Sequence, residues 1–153
     1  MKIAVGADHA GCSYKSEILK YLISLGSEVI DVGTNSSESS DYPDFGKLGA
    51  ELVSEGKSDM AVLVCGTGIG MSIIANKIKG IRAALCWNEE AAKLARQHNN
   101  ANVLCLGARL LPLEECMNIL QVFINTEFSN EEKHIRRINK ITEIDKGRNI
   151  CEK

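Results

Sequence analysis

Short apolar runs alternate along this chain with longer stretches in which apolar residues return every three or four positions. The runs Lys2–Val5, Glu28–Asp31, Met60–Val64, Ile81–Leu85 and Asn102–Leu106 are brief and nearly continuous in hydrophobicity, the pattern of strands covered on both faces. Between the first two, Tyr14, Ile18, Tyr21, Leu22 and Leu25 recur at helical spacing, and Gly26 stands where a helix C-terminus favours a residue tolerant of positive φ. Residues Gly33 to Asp41, rich in Ser, Thr and Asn, read as a loop. Ser40 or Asp41 then opens a helix with Pro43 in its first turn and Phe45, Leu48 and Leu52 on one face. Asn88 can cap a helix through Ala91, Leu94 and Ala95, and Pro112 begins another through Leu113, Cys116, Leu120 and Phe123. Beyond Asn130 a last helix carries Ile135, Ile138, Ile141 and Ile144 on a winding stripe, and Gly147 to Lys153 read as a loosely held tail.

This alternation predicts an α/β doubly wound fold, a parallel sheet of five strands with helices on both faces. No repeat, low-complexity tract or linker interrupts the chain, so one domain over residues 1–153 is expected.

Composition narrows the partners. Lys and Arg total 18 against 20 Asp and Glu, a net charge of -2, so no positive excess advertises nucleic acid or a membrane surface. The apolar start at Met1–Val5 is too short for a secretion signal, and no apolar run reaches about 18 residues, which predicts a cytoplasmic protein. Cys12, Cys65, Cys86, Cys105, Cys116 and Cys151 are scattered over a full-sized domain and read as free thiols. There is no Cys-x-x-Cys pair, and His9, His98 and His134 have no zinc-ligand spacing, so nothing supports a metal site.

Ligands of open parallel sheets bind outside the carboxyl ends of the strands, and three of the predicted strands end in polar residues there. Gly6-Ala7-Asp8-His9 follows the first, Cys65-Gly66-Thr67-Gly68-Ile69-Gly70 the third, and Gly107-Ala108-Arg109 the fifth. The glycines at 66, 68 and 70 lead into a helix through Ile73, Ile74 and Lys77, so that successive N–H groups can converge on an anion. The spacing is neither that of the dinucleotide fingerprint nor that of a Walker loop. At the mouth of this nest the amides favour a thiolate at Cys65, whereas Cys86, Cys105 and Cys116 read as small buried hydrophobes.

Taken singly, several of these residues also have structural readings. Thr67 can be a turn residue, Asp8-His9 a cap with a surface histidine, and His98-Asn99 a plain helix C-terminus. Topology alone does not put His98 and Asn99 on the same sheet edge as Cys65. Arg137 and Lys140 fall within about 40° of Lys133 on the last helix and can be its solvated face. Together, however, they supply a thiol, two imidazoles, a carboxylate, an amide nest and cations, a set suited to proton transfer on an anionic sugar.

These residues carry a resemblance. Gly-Ala-Asp-His-Ala-Gly at 6–11, Asp-Tyr-Pro-Asp at 41–44, Cys-Gly-Thr-Gly-Ile-Gly at 65–70, Asn-Lys-Ile-Lys-Gly-Ile-Arg-Ala at 76–83, Arg-Gln-His-Asn at 96–99, Leu-Gly-Ala-Arg at 106–109 and Lys-His-Ile-Arg-Arg-Ile at 133–138 stand in one order. That order resembles the ribose-5-phosphate isomerase B family, within the wider group that includes galactose-6-phosphate isomerase subunits, over nearly the whole chain apart from the tail. The resemblance implies a Rossmann-like five-stranded sheet and a homodimer, possible as half of a tetramer, with active sites at the subunit boundary and the C-terminal helix docked on the partner. It implies interconversion of D-ribose 5-phosphate and D-ribulose 5-phosphate, in the non-oxidative pentose phosphate branch, without metal or organic cofactor.

Carried over by motif, Cys65 is the base, His98 assists ring opening, and Asp8 and Tyr42 contact the sugar. Thr67, the nest of Gly66, Gly68, Ile69 and Gly70, and Asn99 hold the enediolate, while His9, Arg109 and the partner's Arg137 handle phosphate. One departure stands out: Lys133 occupies a position where many members have arginine, and a lysine cannot make the planar two-pronged phosphate contact. Alternatives are an allose-6-phosphate or galactose-6-phosphate isomerase, which differ in pocket depth, and a non-catalytic phosphosugar-binding subunit, which would need neither Cys65 nor His98.

Overall fold

The computed structural model describes residues 1–147, so Cys151 and the expected tail beyond Gly147 lie outside the described residues. The chain runs β1 (Lys2–Ala7), α1 (Cys12–Ser24), β2 (Glu28–Asp31), α2 (Tyr42–Ser54), β3 (Met60–Cys65), α3 (Ile69–Ala75), β4 (Ala83–Leu85), α4 (Glu89–Asn99), β5 (Val103–Gly107), α5 (Leu113–Asn125) and α6 (Glu132–Gly147). All strand pairs are parallel, in the order β2-β1-β3-β5-β4. The expected five-stranded α/β architecture is therefore present.

Period-two alternation of the strands assigns the two faces. Ile3, Val5, Met60, Val62, Val64, Leu104 and Leu106 turn to the face packed by Ile18 and Leu22 of α1, Ala92 and Ala95 of α4, and Ile119, Leu120 and Phe123 of α5. Ala4, Ala61, Leu63, Cys65, Val103 and Cys105 turn to the other, against Ala50 of α2 and Met71 and Ala75 of α3. Two local signals hold. Asn88 Oδ1 accepts from Ala91 N–H at 2.8 Å to cap α4, and Gly26 adopts φ 78° after α1.

Several boundaries differ from the sequence expectation: β1 runs on to Ala7, β3 to Cys65, and β5 lies one residue later, at Val103–Gly107. Two larger differences have a visible cause. The fourth strand begins at Ala83, not Ile81. Ile81 is buried and its N–H turns back to Ile78 O, while Arg82 N–H is taken by the side chain of Asn102 at 2.8 Å, where a ladder partner would otherwise stand. The third helix stops at Ala75, short of Lys77, because the Asn76 side chain crosses to β4, donating to Ala83 O and accepting from Ala83 N–H, each at 2.9 Å.

Contacts that tie the last helix to the rest of the described chain include those of His134 and Asp145. His134 packs against His98 at the end of α4, with ring centroids 4.2 Å apart, and Asp145 accepts from Gly80 N–H at 3.0 Å ahead of β4. Ile135, Ile141 and Ile144 lie exposed. No described helix is long and apolar enough to cross a membrane.

Candidate active site

The direction of successive crossovers changes between β1 and β3: β1 sends α1 to one face, and β3 sends α3 to the other. A crevice opens at the carboxyl ends of two strands that diverge in this way. Asp8 and Cys65 stand there, on strands knitted together up to the contact of Asp8 N–H with Val64 O at 3.3 Å.

Cys65 is the last residue of β3 and is buried, 4% exposed. Its Sγ accepts the backbone N–H of Gly68 at 3.1 Å. The turn that makes this possible needs Gly68, whose φ is 74° and whose missing Cβ would lie 2.6 Å from Leu85 Cδ1 and 2.9 Å from the Leu106 carbonyl carbon. Thr67 is exposed at the tip, with its hydroxyl accepting from Ile69 N–H at 3.3 Å. Gly70 leaves room for Tyr42, since a Cβ there would come within 2.6 Å of the tyrosine ring. The first residue of α2 is thereby laid against the nest.

β5 lies beside β3 and brings its own polar end to the same place. Cys65 pairs in register with Gly107, Ala108 N–H donates to Cys65 O and Arg109 N–H to Gly66 O, both at 2.9 Å. The Arg109 side chain crosses Gly66 closely enough that a Cβ there would be 3.2 Å from its Cδ. An exposed guanidinium thus sits over the amide turn.

Asp8 is 5% exposed, and its Oδ1 accepts from Ala10 N–H at 3.0 Å and Gly11 N–H at 3.1 Å. His9 is locked to the 33–41 loop: its Nδ1 accepts from Ser40 N–H, and its own N–H donates to Ser40 Oγ, both at 3.2 Å. With Nδ1 used as an acceptor, the neutral ring carries its proton on Nε2.

The other predicted residues are elsewhere. His98 and Asn99 end α4 just ahead of β5, where Arg82 Nε donates to Asn99 O at 3.0 Å. They therefore stand at the amino edge of the sheet, whereas Cys65 pairs with the far end of β5, and a strand of that length spans about 13 Å. Lys133 and Arg137 flank His134 on α6, beside His98, both exposed, with Lys133 Nζ 2.7 Å from Glu131. One chain thus holds two groups of predicted residues on opposite edges. Asp8, His9, Tyr42, Cys65, Thr67, the nest and Arg109 make one, and His98, Asn99, Lys133 and Arg137 the other.

Three further thiols, Cys86, Cys105 and Cys116, are buried in the core. Burial pushes the thiol of Cys86 up to about 12 and that of Cys116 to about 11, and holds that of Cys105 well above its ordinary value. This accords with their reading as small hydrophobes. Among the described residues no group of three or more His, Cys, Asp or Glu side chains is arranged to hold a metal ion.

Sequence reasoning missed three contributors. Lys15 is fully buried, with Nζ donating to both Asp31 oxygens at 2.8 and 2.7 Å, to Asn35 Oδ1 at 2.8 Å and to Gly33 O at 3.4 Å. It pins the start of the loop that delivers Ser40 and Tyr42, and its spacing from Ile18 and Leu22 is the signal that it faces inward. Ser40 appeared only as a possible cap, and no local pattern marks it as the partner of His9. His134 has no zinc-ligand spacing, and the signal that it faces inward is the stripe it shares with Ile138 and Ile141.

A family model described as Ribose/Galactose Isomerase matches residues 3–141. The chain is 44% identical over 148 residues to ribose-5-phosphate isomerase B of Escherichia coli (strain K12), covering 97% of this chain and 99% of that protein. The structure of ribose-5-phosphate isomerase B from Clostridium thermocellum matches with a TM-score of 0.93 at 47% identity, over 96% of this chain and 99% of that one. That of Mycoplasma genitalium ribose-5-phosphate isomerase B with bound ribulose-5-phosphate matches with a TM-score of 0.91 at 41% identity, over 95% and 96%.

Proposed function

This chain belongs to the ribose/galactose isomerase family, and from that premise we propose that it interconverts D-ribose 5-phosphate and D-ribulose 5-phosphate with Cys65 as the base. The observation that carries the assignment of Cys65 is its Sγ held 3.1 Å from the Gly68 amide at the switch point of the sheet, with Asp8, Tyr42, Thr67 and Arg109 around it.

The site is completed by a second copy. His98, Asn99, Lys133 and Arg137 cannot reach their own Cys65 across the sheet, and the exposed Ile135, Ile141 and Ile144 offer an apolar face for docking on a partner. A homodimer in which each α4–α6 corner meets the other chain's Cys65 edge would join both groups. The protein works in the cytoplasm on a small anionic sugar, without nucleic acid or membrane as partner.

The closed furanose has no acidic C2 proton, so the ring opens first. The partner's His98 protonates the ring oxygen while the anomeric hydroxyl releases its proton to solvent and C1 becomes the aldehyde. The Cys65 thiolate then takes the C2 proton, and the electron pair moves onto O1 as a cis-enediolate. Amides of Gly66, Gly68, Ile69 and Gly70, with Thr67 and the partner's Asn99, bear that charge, the Gly68 N–H turning to it from the sulfur as the thiolate becomes a thiol and the Ile69 N–H turning from Thr67 Oγ1. The thiol returns the proton to C1, and the O2 proton passes to O1 as the ketone forms. His9, Arg109 and the partner's Arg137 hold the phosphate, with the partner's Lys133 as a point charge.

Turnover measured side by side on ribose 5-phosphate, allose 6-phosphate and galactose 6-phosphate tests the reading, together with exchange of the substrate C2 hydrogen with solvent. Preference for ribose 5-phosphate supports it. Preference for a hexose phosphate moves the chain to the other branch of its family, and binding without exchange makes it a phosphosugar-binding subunit.

A further inference from the structure

Among the described residues of α6, only His134 and Asp145 are buried. A histidine with 2% exposure on a helix otherwise open to water costs free energy unless its polar atoms are used, and the route by which this one is used leads to His98. We propose that His134 is the positioning residue of His98, a buried imidazole clamped by Ser129 whose ring holds the His98 ring in place for proton delivery to a cyclic phosphosugar. The proposal rests on the reading of His98 as the ring-opening acid.

The two rings lie with centroids 4.2 Å apart and planes tilted by 38°. Ser129 Oγ is 2.8 Å from His134 Nδ1 and accepts Glu131 N–H at 3.3 Å, while Ser129 N–H donates to Gln97 O at 3.1 Å. One serine is therefore bonded both to the last turn of α4, beside His98, and to the imidazole packed on His98. With Glu131 N–H on the serine oxygen, the hydroxyl proton is free to go to Nδ1, leaving the proton of a neutral His134 on Nε2.

The charge around the pair fits this role. Burial, then the field of His98, holds the His134 imidazole below its ordinary value; Glu131 opposes this, and Lys133 and Arg137 add to it. A neutral ring face accommodates the imidazolium that His98 becomes when it takes up a proton, whereas a charged neighbour would repel it. Apolar packing alone would require neither the serine nor its bonds to both elements.

The test compares His134→Ala, His134→Phe, Ser129→Ala and His98→Asn in two assays: steady-state turnover of ribose 5-phosphate across pH, and single-turnover exchange of the C1 hydrogen of ribulose 5-phosphate, which needs no ring opening. Misplacing an acid costs less than losing it, so His134→Ala should slow ribose 5-phosphate turnover roughly ten- to a hundredfold. Exchange from ribulose 5-phosphate should stay within about twofold, with KM for the ketose little changed. His134→Phe keeps the ring volume and releases Ser129, so it and Ser129→Ala should show the same selectivity at smaller size, and they carry the test if the alanine variant does not fold. Equal loss in both assays, or no loss, while His98→Asn remains selective overturns the proposal. If His98→Asn itself loses exchange as strongly as turnover, the ring-opening reading falls and takes the proposal with it, a failure visible in that variant alone.

Discussion

The Sγ of Cys65 and the backbone N–H of Gly68 face each other across 3.1 Å, so that the residue ending β3 is bonded to the turn it initiates. A positive φ at Gly68 aims that amide at the sulfur.

Replacing Cys65 by alanine should abolish isomerisation, with a loss of at least about a hundredfold, the lower range for a general base. The site is small and at the strand end, so circular dichroism and phosphate-sugar binding should stay close to wild type. Substantial turnover in this variant would sink the mechanism.

Gly68 and Gly70 should respond differently to alanine. At Gly68 the added Cβ meets Leu85 and the Leu106 backbone at positive φ, so Gly68→Ala should lower stability by about 1–3 kcal/mol in a denaturant titration. At Gly70 the obstacle is the Tyr42 ring, which can swing away, so Gly70→Ala should fold normally and raise KM. Equal melting temperatures for the two variants would contradict this division.

If the two edges belong to one site across a dimer, lesions on opposite edges must complement. Mixing Cys65→Ala with Arg137→Ala under subunit exchange gives heterodimers with one doubly damaged site and one intact site, so activity should rise well above either parent. The same holds for Cys65→Ala mixed with His98→Asn. No recovery despite demonstrated exchange would place both groups in the service of their own chain.

Lys133 pairs with Glu131 at 2.7 Å on an exposed surface, a contact of little energy. Lys133→Arg should therefore release readily toward phosphate and, with its planar fork, lower KM for ribose 5-phosphate a few-fold. An unchanged KM would take position 133 out of phosphate binding.

The depressed imidazole of His134 predicts an acid-side loss of stability. In the unfolded chain it takes up a proton near about pH 6.5, whereas the folded chain resists it. As pH falls through that value the unfolded state binds more protons and stability drops, levelling once pH is below the folded value. Melting temperature should fall between about pH 7.5 and about pH 5.5, and by less in His134→Phe. Parallel curves for the two proteins would remove His134 as the cause.

Periodicity and turn chemistry are local, and what depends on them was legible in the chain itself: five strands, their helices, the Asn88 cap, the Gly26 terminus and the polar residues at the ends of β1, β3 and β5. Burial on both faces holds for β1, β3 and β5, while the edge strands β2 and β4 are only partly covered. Strand order is a property of how crossovers pack, and no spacing along the chain announces that β5 inserts between β3 and β4. That insertion is what lays Arg109 over Gly66 beside Cys65. Side chains that substitute for backbone partners, Asn102 at Arg82 and Asn76 at Ala83, shortened β4 and α3 for the same non-local reason. The sequence alone thus determined which groups can do the chemistry. Tertiary structure decided that the thiol and the His98 imidazole end on opposite edges of one sheet, because α4 runs antiparallel to the strands it joins and returns its C-terminus to the edge from which they start.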